Sequence, residues 1–106
     1  MNEKERLYDK EYYLECEYDA RASFYKKAKV VINEDENILH KELLSYGTLV
    51  ANYVKYKITR VEVFEYLGKY SQTTTRHQKE FFRQLGLTEK ELKDLFKNGR
   101  LEKESE

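Results

Sequence analysis

Residues 61–85 read VEVFEYLGKYSQTTTRHQKEFFRQL, and the hydrophobic period changes within them. Val61, Val63 and Glu65 alternate with Glu62, Phe64 and Tyr66, the two-residue period of a half-buried strand. After Gly68, Thr74, Gln78, Phe81, Phe82 and Leu85 fall on one helical face, at a period of about 3.6 residues. A strand therefore gives way to a helix here, which predicts an α+β chain with its sheet first and its helices after it.

Upstream, Phe24, Ala28, Val30 and Ile32 alternate with Tyr25, Lys27, Lys29 and Val31, a strand with one buried face. Asn33 to Asn37 is a polar loop, and Ile38 to Tyr46 is a second extended run. Gly47 marks a turn or bulge before Thr48 to Val54, which is rich in strand-favouring residues, and Lys55 to Thr59 leads into the Val61 run. These segments predict a small antiparallel sheet of three to four strands followed by two short helices. Tyr25, Tyr46, Tyr53 and Tyr66 are read as half-buried strand packing.

Downstream, Gly86 ends the first helix, and Thr88-Glu89-Lys90-Glu91 is a capping box for the second. Leu92, Leu95 and Phe96 form its apolar face, and Gly99 ends it. At the other end, Leu7, Glu11, Leu14 and Tyr18 have helical spacing but a poor apolar stripe, so residues 2–19 read as a marginal N-terminal helix. Residues 100–106 read as a charged tail with nothing to bury. The expected organisation is an acidic, tyrosine-rich segment 1–19, an α+β domain 20–99 and the tail 100–106. On that division, removal of residues 1–17 leaves a folded domain.

The 106 residues carry 20 basic and 20 acidic groups, unevenly distributed. Residues 1–19 hold three basic and seven acidic groups, residues 20–100 sixteen and ten, and the last six one and three. The middle is mildly basic between acidic ends, so nucleic acid is not the default partner, although a local basic patch remains compatible with it. One cysteine, Cys16, excludes an internal disulfide framework. With no apolar N-terminal run of the signal-peptide or membrane-span kind, a cytoplasmic protein with no membrane partner is expected.

Two motifs carry a family resemblance. Leu44-Ser45-Tyr46-Gly47-Thr48-Leu49-Val50-Ala51, followed by Tyr70-Ser71-Gln72-Thr73-Thr74-Thr75-Arg76-His77-Gln78-Lys79-Glu80-Phe81, resembles a small uncharacterised domain of phages and mobile elements of Gram-positive bacteria. That family's pattern is roughly Ser-Tyr-x-Thr-x-Val-Ala, a hairpin, then Tyr-Ser-x-Thr-Thr-x-Arg-His-x-x-Glu-Phe. Arg21-Ala22-Ser23-Phe24-Tyr25 resembles its entry. The likeness covers about residues 20–86 and implies a phage or prophage origin, hence the host cytosol, with no activity attached.

No residue combination has the spacing of a known chemistry. His40 and His77 are the only histidines and belong to no zinc-binding pattern, so no metal and no cofactor is expected. His77 lies four residues after Thr73 and can share its helical face, but that pair alone does not make a nucleophile and base, so no enzyme is expected. The cluster Tyr70 to His77 reads first as a helix cap braced by Arg76 and His77, then as a partner contact, then as a small-anion site. Tyr8, Tyr12 and Tyr13 among Glu11, Glu15 and Glu17 resemble a protein-contact surface, because aromatic rings provide binding energy and carboxylates set specificity; docking onto the domain's own basic sheet is the equal alternative.

The expected partner-binding residues are thus Tyr8, Glu11, Tyr12, Tyr13, Glu15, Tyr70, Arg76 and His77. The leading reading is an accessory protein that binds and inhibits or redirects a host protein, anti-defence (anti-CRISPR-like) activity being one form. The alternative is a small nucleic-acid-binding module with a basic sheet face of Lys26, Lys27, Lys29, Lys55, Lys57, Arg60 and Lys69.

Overall fold

The computed structural model describes residues 8–105; residues 2–7 of the expected N-terminal helix lie outside them, as do the side chains of Tyr8 and Asp9. Six antiparallel strands form one sheet in chain order: β1 Tyr8–Tyr13, β2 Ala28–Glu34, β3 Ile38–Ser45, β4 Thr48–Tyr56, β5 Val61–Tyr66 and β6 Arg100–Glu104. Two helices, α1 Gln72–Gln84 and α2 Glu89–Asn98, lie between β5 and β6 in sequence. The class is α+β, but the sheet has six strands where three to four were expected.

Both additional strands come from segments read otherwise. Where a marginal helix was expected, β1 pairs with β2 in the register Tyr12 to Val30. A helix with so poor an apolar stripe gains little by docking, whereas a strand satisfies its backbone against β2 and carries Leu14 into the core. The Leu14 N–H donates to the Ala28 carbonyl at 2.9 Å. Where a charged tail was expected, β6 pairs with β5 and packs Leu101 against the core. Gly99 makes that reversal: its left-handed φ of 83° ends α2 and turns the chain, and its carbonyl accepts from the Tyr66 N–H at 3.0 Å.

One face of the sheet is covered. Val30, Leu43 and Ala51 are cross-strand neighbours there, as are Tyr53, Phe64 and Leu101, and Phe81, Phe82, Leu92 and Leu95 of the helices join the same core. A bulge between β3 and β4 lets adjacent Val50 and Ala51 both be buried. The Val50 carbonyl accepts from Gln78 Nε2 at 3.0 Å and from the Leu67 N–H at 3.2 Å. The helix starts follow the sequence signals: Ser71 caps α1, and the expected capping box at Thr88 and Glu91 is present.

Candidate functional site: a tyrosine and lysine rim over a buried polar layer

The polar stretch at the start of α1 divides by depth. Ser45 Oγ lies 2.7 Å from His77 Nδ1 and 2.9 Å from Thr74 Oγ1, with Ser45 2% and His77 0% exposed. The His77 ring makes an edge contact with Phe24 at 4.5 Å between centroids and lies 5.8 Å from Tyr46. Burial pushes the imidazole below its ordinary range, opposed by Asp19 and assisted by Arg21. The hydroxyl–imidazole distance suits proton transfer, but neither group is open to a substrate.

Glu80, also buried, extends this layer. Its carboxylate accepts from the N–H groups of Glu17, Tyr18 and Asp19 at 2.8–3.1 Å and from Gln84 Nε2 at 2.6 Å, which ties the N-terminal segment to α1. Arg76 Nη1 reaches Asp19 Oδ1 at 3.2 Å. Two of the expected partner-contact residues, Arg76 and His77, therefore brace the fold, one at its edge and one inside it.

Above this layer, three motif tyrosines emerge at the same end of the sheet. Tyr25 and Lys26 form the centre of a reverse turn with φ of 52° and 61°, closed by the Lys27 N–H on the Phe24 carbonyl at 3.0 Å. Tyr46 and Gly47 form the β3–β4 turn with φ of 52° and 81°. Positive φ at both central residues is the pattern of a type I′ turn, and glycine accepts it readily, as Gly47 does. Bulky side chains reach it only under strain, typically about 1–3 kcal/mol each. The turns touch: the Tyr46 N–H donates to the Lys27 carbonyl at 2.8 Å.

Tyr25 is 74% exposed, Tyr46 58% and Tyr70, just before α1, 49%. Exposed Tyr13 ends β1 beside them, with Lys26 Nζ 5.7 Å from its ring centre, and Lys27 and Lys69 are also exposed. The rim therefore gathers Tyr13 and Tyr70 from the protein-contact set and Lys26, Lys27 and Lys69 from the nucleic-acid set. Tyr25 and Tyr46, read as strand packing, stand instead at turn tips. Tyr46-Gly47 between two extended runs is a hairpin signal that identifies one of them. Tyr25-Lys26 carries no such signal, because neither residue favours a left-handed backbone.

The remaining expected residues are dispersed. Tyr12 and Glu11 are exposed on β1, an edge strand among the described residues, Glu15 is exposed beyond it, and the Tyr8 side chain lies outside the described residues. The sheet face away from the helices holds Lys29 and Arg100 among Glu11, Glu42, Glu65, Glu102 and Glu104, so it is not the basic face expected. Lys29 Nζ lies 3.6 Å from Glu11 Oε1 on that face. Lys55, Lys57 and Arg60 lie at the end of the sheet opposite the rim. Burial and neighbouring Asp19 and Glu80 raise the Cys16 thiol above its ordinary value, against thiolate formation. Among the described residues no group of three His, Cys, Asp or Glu side chains is arranged to hold a metal, and no helix is long and apolar enough to cross a membrane.

The profile of a family of unknown function, DUF8033, matches residues 12–98. That span covers most of the chain, which therefore belongs to the family. No curated protein and no solved structure matches it.

Proposed function

We propose that this DUF8033 domain is a non-catalytic binding module whose rim holds an unpaired stretch of nucleic acid. The observation that carries this reading is the convergence of exposed Tyr13, Tyr25, Tyr46 and Tyr70 with Lys26, Lys27 and Lys69 at one end of the sheet. Flat rings stack on any base, and lysines follow the phosphates, the combination by which single strands are bound without sequence readout. Lysine is depleted from protein interfaces, which weighs against a protein partner at this surface. Of the four chain segments that meet here, residues 20–33, 43–61 and 66–79 contain no aspartate or glutamate, whereas the Tyr13 segment carries exposed Glu11 and Glu15.

Fluorescence anisotropy with labelled random single-stranded and duplex oligonucleotides, repeated across a salt series, tests this. We expect preference for the single strand, affinity that falls steeply with salt, and a loss of about 5- to 150-fold for Tyr46→Ala, the range of one stacking contact. Unchanged affinity in a Tyr25→Ala, Tyr46→Ala double variant overturns the assignment of the rim.

A second reading keeps the protein partner and moves it to the opposite kind of surface. Tyr12 and Tyr13 are exposed beside Glu11 on β1, an edge strand among the described residues, where an extended segment of another protein can add as a strand. In this reading the domain is a phage-derived accessory protein of the host cytosol that inhibits or redirects a host protein, for instance one of a defence system. Capture of a host protein that is lost on Tyr12→Ala and kept on Tyr46→Ala, with no oligonucleotide bound, selects it over the first.

A further inference from the structure

At the end of the sheet opposite the rim, a groove of about 440 Å³ is lined by Glu34, Leu39, Lys55, Lys57 and Arg60. Three cations share it with one carboxylate, and that carboxylate is already committed: Glu34 Oε2 lies 2.6 Å from Lys57 Nζ. Lys57 Nζ also donates to the Asp35 carbonyl at 2.7 Å, which fixes the amine and leaves one of its three N–H donors free. No described residue pairs with the Lys55 amine or the Arg60 guanidinium.

Two of the acidic groups nearby are occupied elsewhere. Asp35 Oδ1 accepts the Asn37 and Ile38 N–H groups, both at 2.8 Å, and these bonds hold its carboxyl below the usual range. Glu62, the cross-strand neighbour of Lys55, accepts the Tyr53 hydroxyl at 2.6 Å. Half-buried Lys41, on β3, adds a further positive charge facing Glu34.

The turn that carries Arg60 is set from three sides. Arg60 takes φ 64°, its N–H donates to the Tyr56 carbonyl at 2.7 Å, and its own carbonyl accepts from the Ser105 N–H at 2.8 Å and Ser105 Oγ at 3.1 Å. The guanidinium therefore projects from a fixed backbone, and Leu39 supplies an apolar wall beside it.

We infer that this groove is an oxyanion site for a compact phosphate or diphosphate group, independent of the rim. Arg60 presents a planar fork of donors suited to two phosphate oxygens, Lys55 a mobile point charge, and the free N–H of Lys57 a fixed third donor. The phosphate belongs to a small molecule rather than to a nucleic acid strand, because Glu34 lines the groove and Asp35 and Glu36 follow it in the chain, carboxylates that would repel a phosphate chain running past.

The test titrates the full chain, labelled with ¹⁵N, with inorganic pyrophosphate at constant ionic strength. Saturable shifts confined to the amides around residues 34–39 and 55–61 are expected. They should weaken by at least about tenfold in Lys55→Gln and in Arg60→Asn, as for loss of a charge-assisted hydrogen bond. Asparagine is chosen because it tolerates a left-handed backbone, so the fold is kept, and an unchanged amide spectrum away from the groove verifies this. Shifts that do not saturate, that spread over all exposed lysines, or that survive when Lys55→Gln and Arg60→Asn are combined overturn the site. An oligonucleotide that shifts these amides while pyrophosphate does not also overturns it, and makes the groove part of a strand's footprint. Rim variants leave the pyrophosphate response unchanged, so failure here and failure of the rim reading are separate results.

Discussion

The layer beneath the rim and the rim itself come from the same short stretches of chain but are built on opposite terms. Ser45, Thr74, His77 and Glu80 are buried and bonded to one another or to backbone, whereas Tyr46, next to Ser45, and Tyr70, just before the cap of α1, are exposed. Buried polar groups in a fold are mostly paired, as these four are apart from His77 Nε2, which meets no hydrogen-bond partner among the described residues, so the four act as scaffold. Exposed Tyr25 and Tyr46 on left-handed turns return little comparable packing, and that strain motivates the binding role proposed for the rim. A motif of this kind therefore reports two things at once, and depth separates them.

The largest expected effect tests how far the scaffold extends. Removal of residues 1–17 deletes β1, takes Leu14 from the core and removes an N–H that Glu80 binds. Leu14 alone represents about 2–5 kcal/mol, a large share of the roughly 5–15 kcal/mol of a whole domain. The truncated chain should lose its cooperative thermal transition, contrary to the expectation that the strands after Ala20 fold alone. A retained transition near the wild-type midpoint breaks the link between the buried layer and the N-terminal segment.

An intermediate effect comes from pH. The folded state holds His77 neutral, below its ordinary range, so the unfolded chain takes up the proton first. The contribution to stability is therefore fully present above about pH 6.5, the unfolded value, and is lost as the pH falls below it toward the folded one. Denaturant titrations from about pH 7 down to about pH 5 should show stability falling by up to about 1.4 kcal/mol per pH unit from this group. His77→Gln should remove that part of the slope. The same slope in the variant assigns it to another group.

The smallest effect sharpens the contrast most, because its two halves have opposite signs. Tyr25→Gly relieves a left-handed tyrosine at φ 52° while adding glycine's entropy cost, for a net gain of about 0.5 kcal/mol. Oligonucleotide affinity should fall in the same variant. A loss of both stability and affinity makes Tyr25 part of the scaffold.

The amino-acid sequence by itself determined the features that depend on near neighbours. The alternation that forms β2 to β5, the period change after Gly68, the Thr88 capping box and the Gly99 stop are each decided within a few residues. Tertiary structure alone decided the rest. β1 and β6 have little periodicity and exist because β2 and β5 offer open edges to pair with. The rim is further from view still: Tyr13, Tyr25, Tyr46 and Tyr70 span most of the domain's length, and only the register of an antiparallel meander brings the ends of alternate strands to one side. Local preference acts over one turn or one hairpin, whereas a surface is assembled from contacts distant in sequence, and no short window of residues contains it.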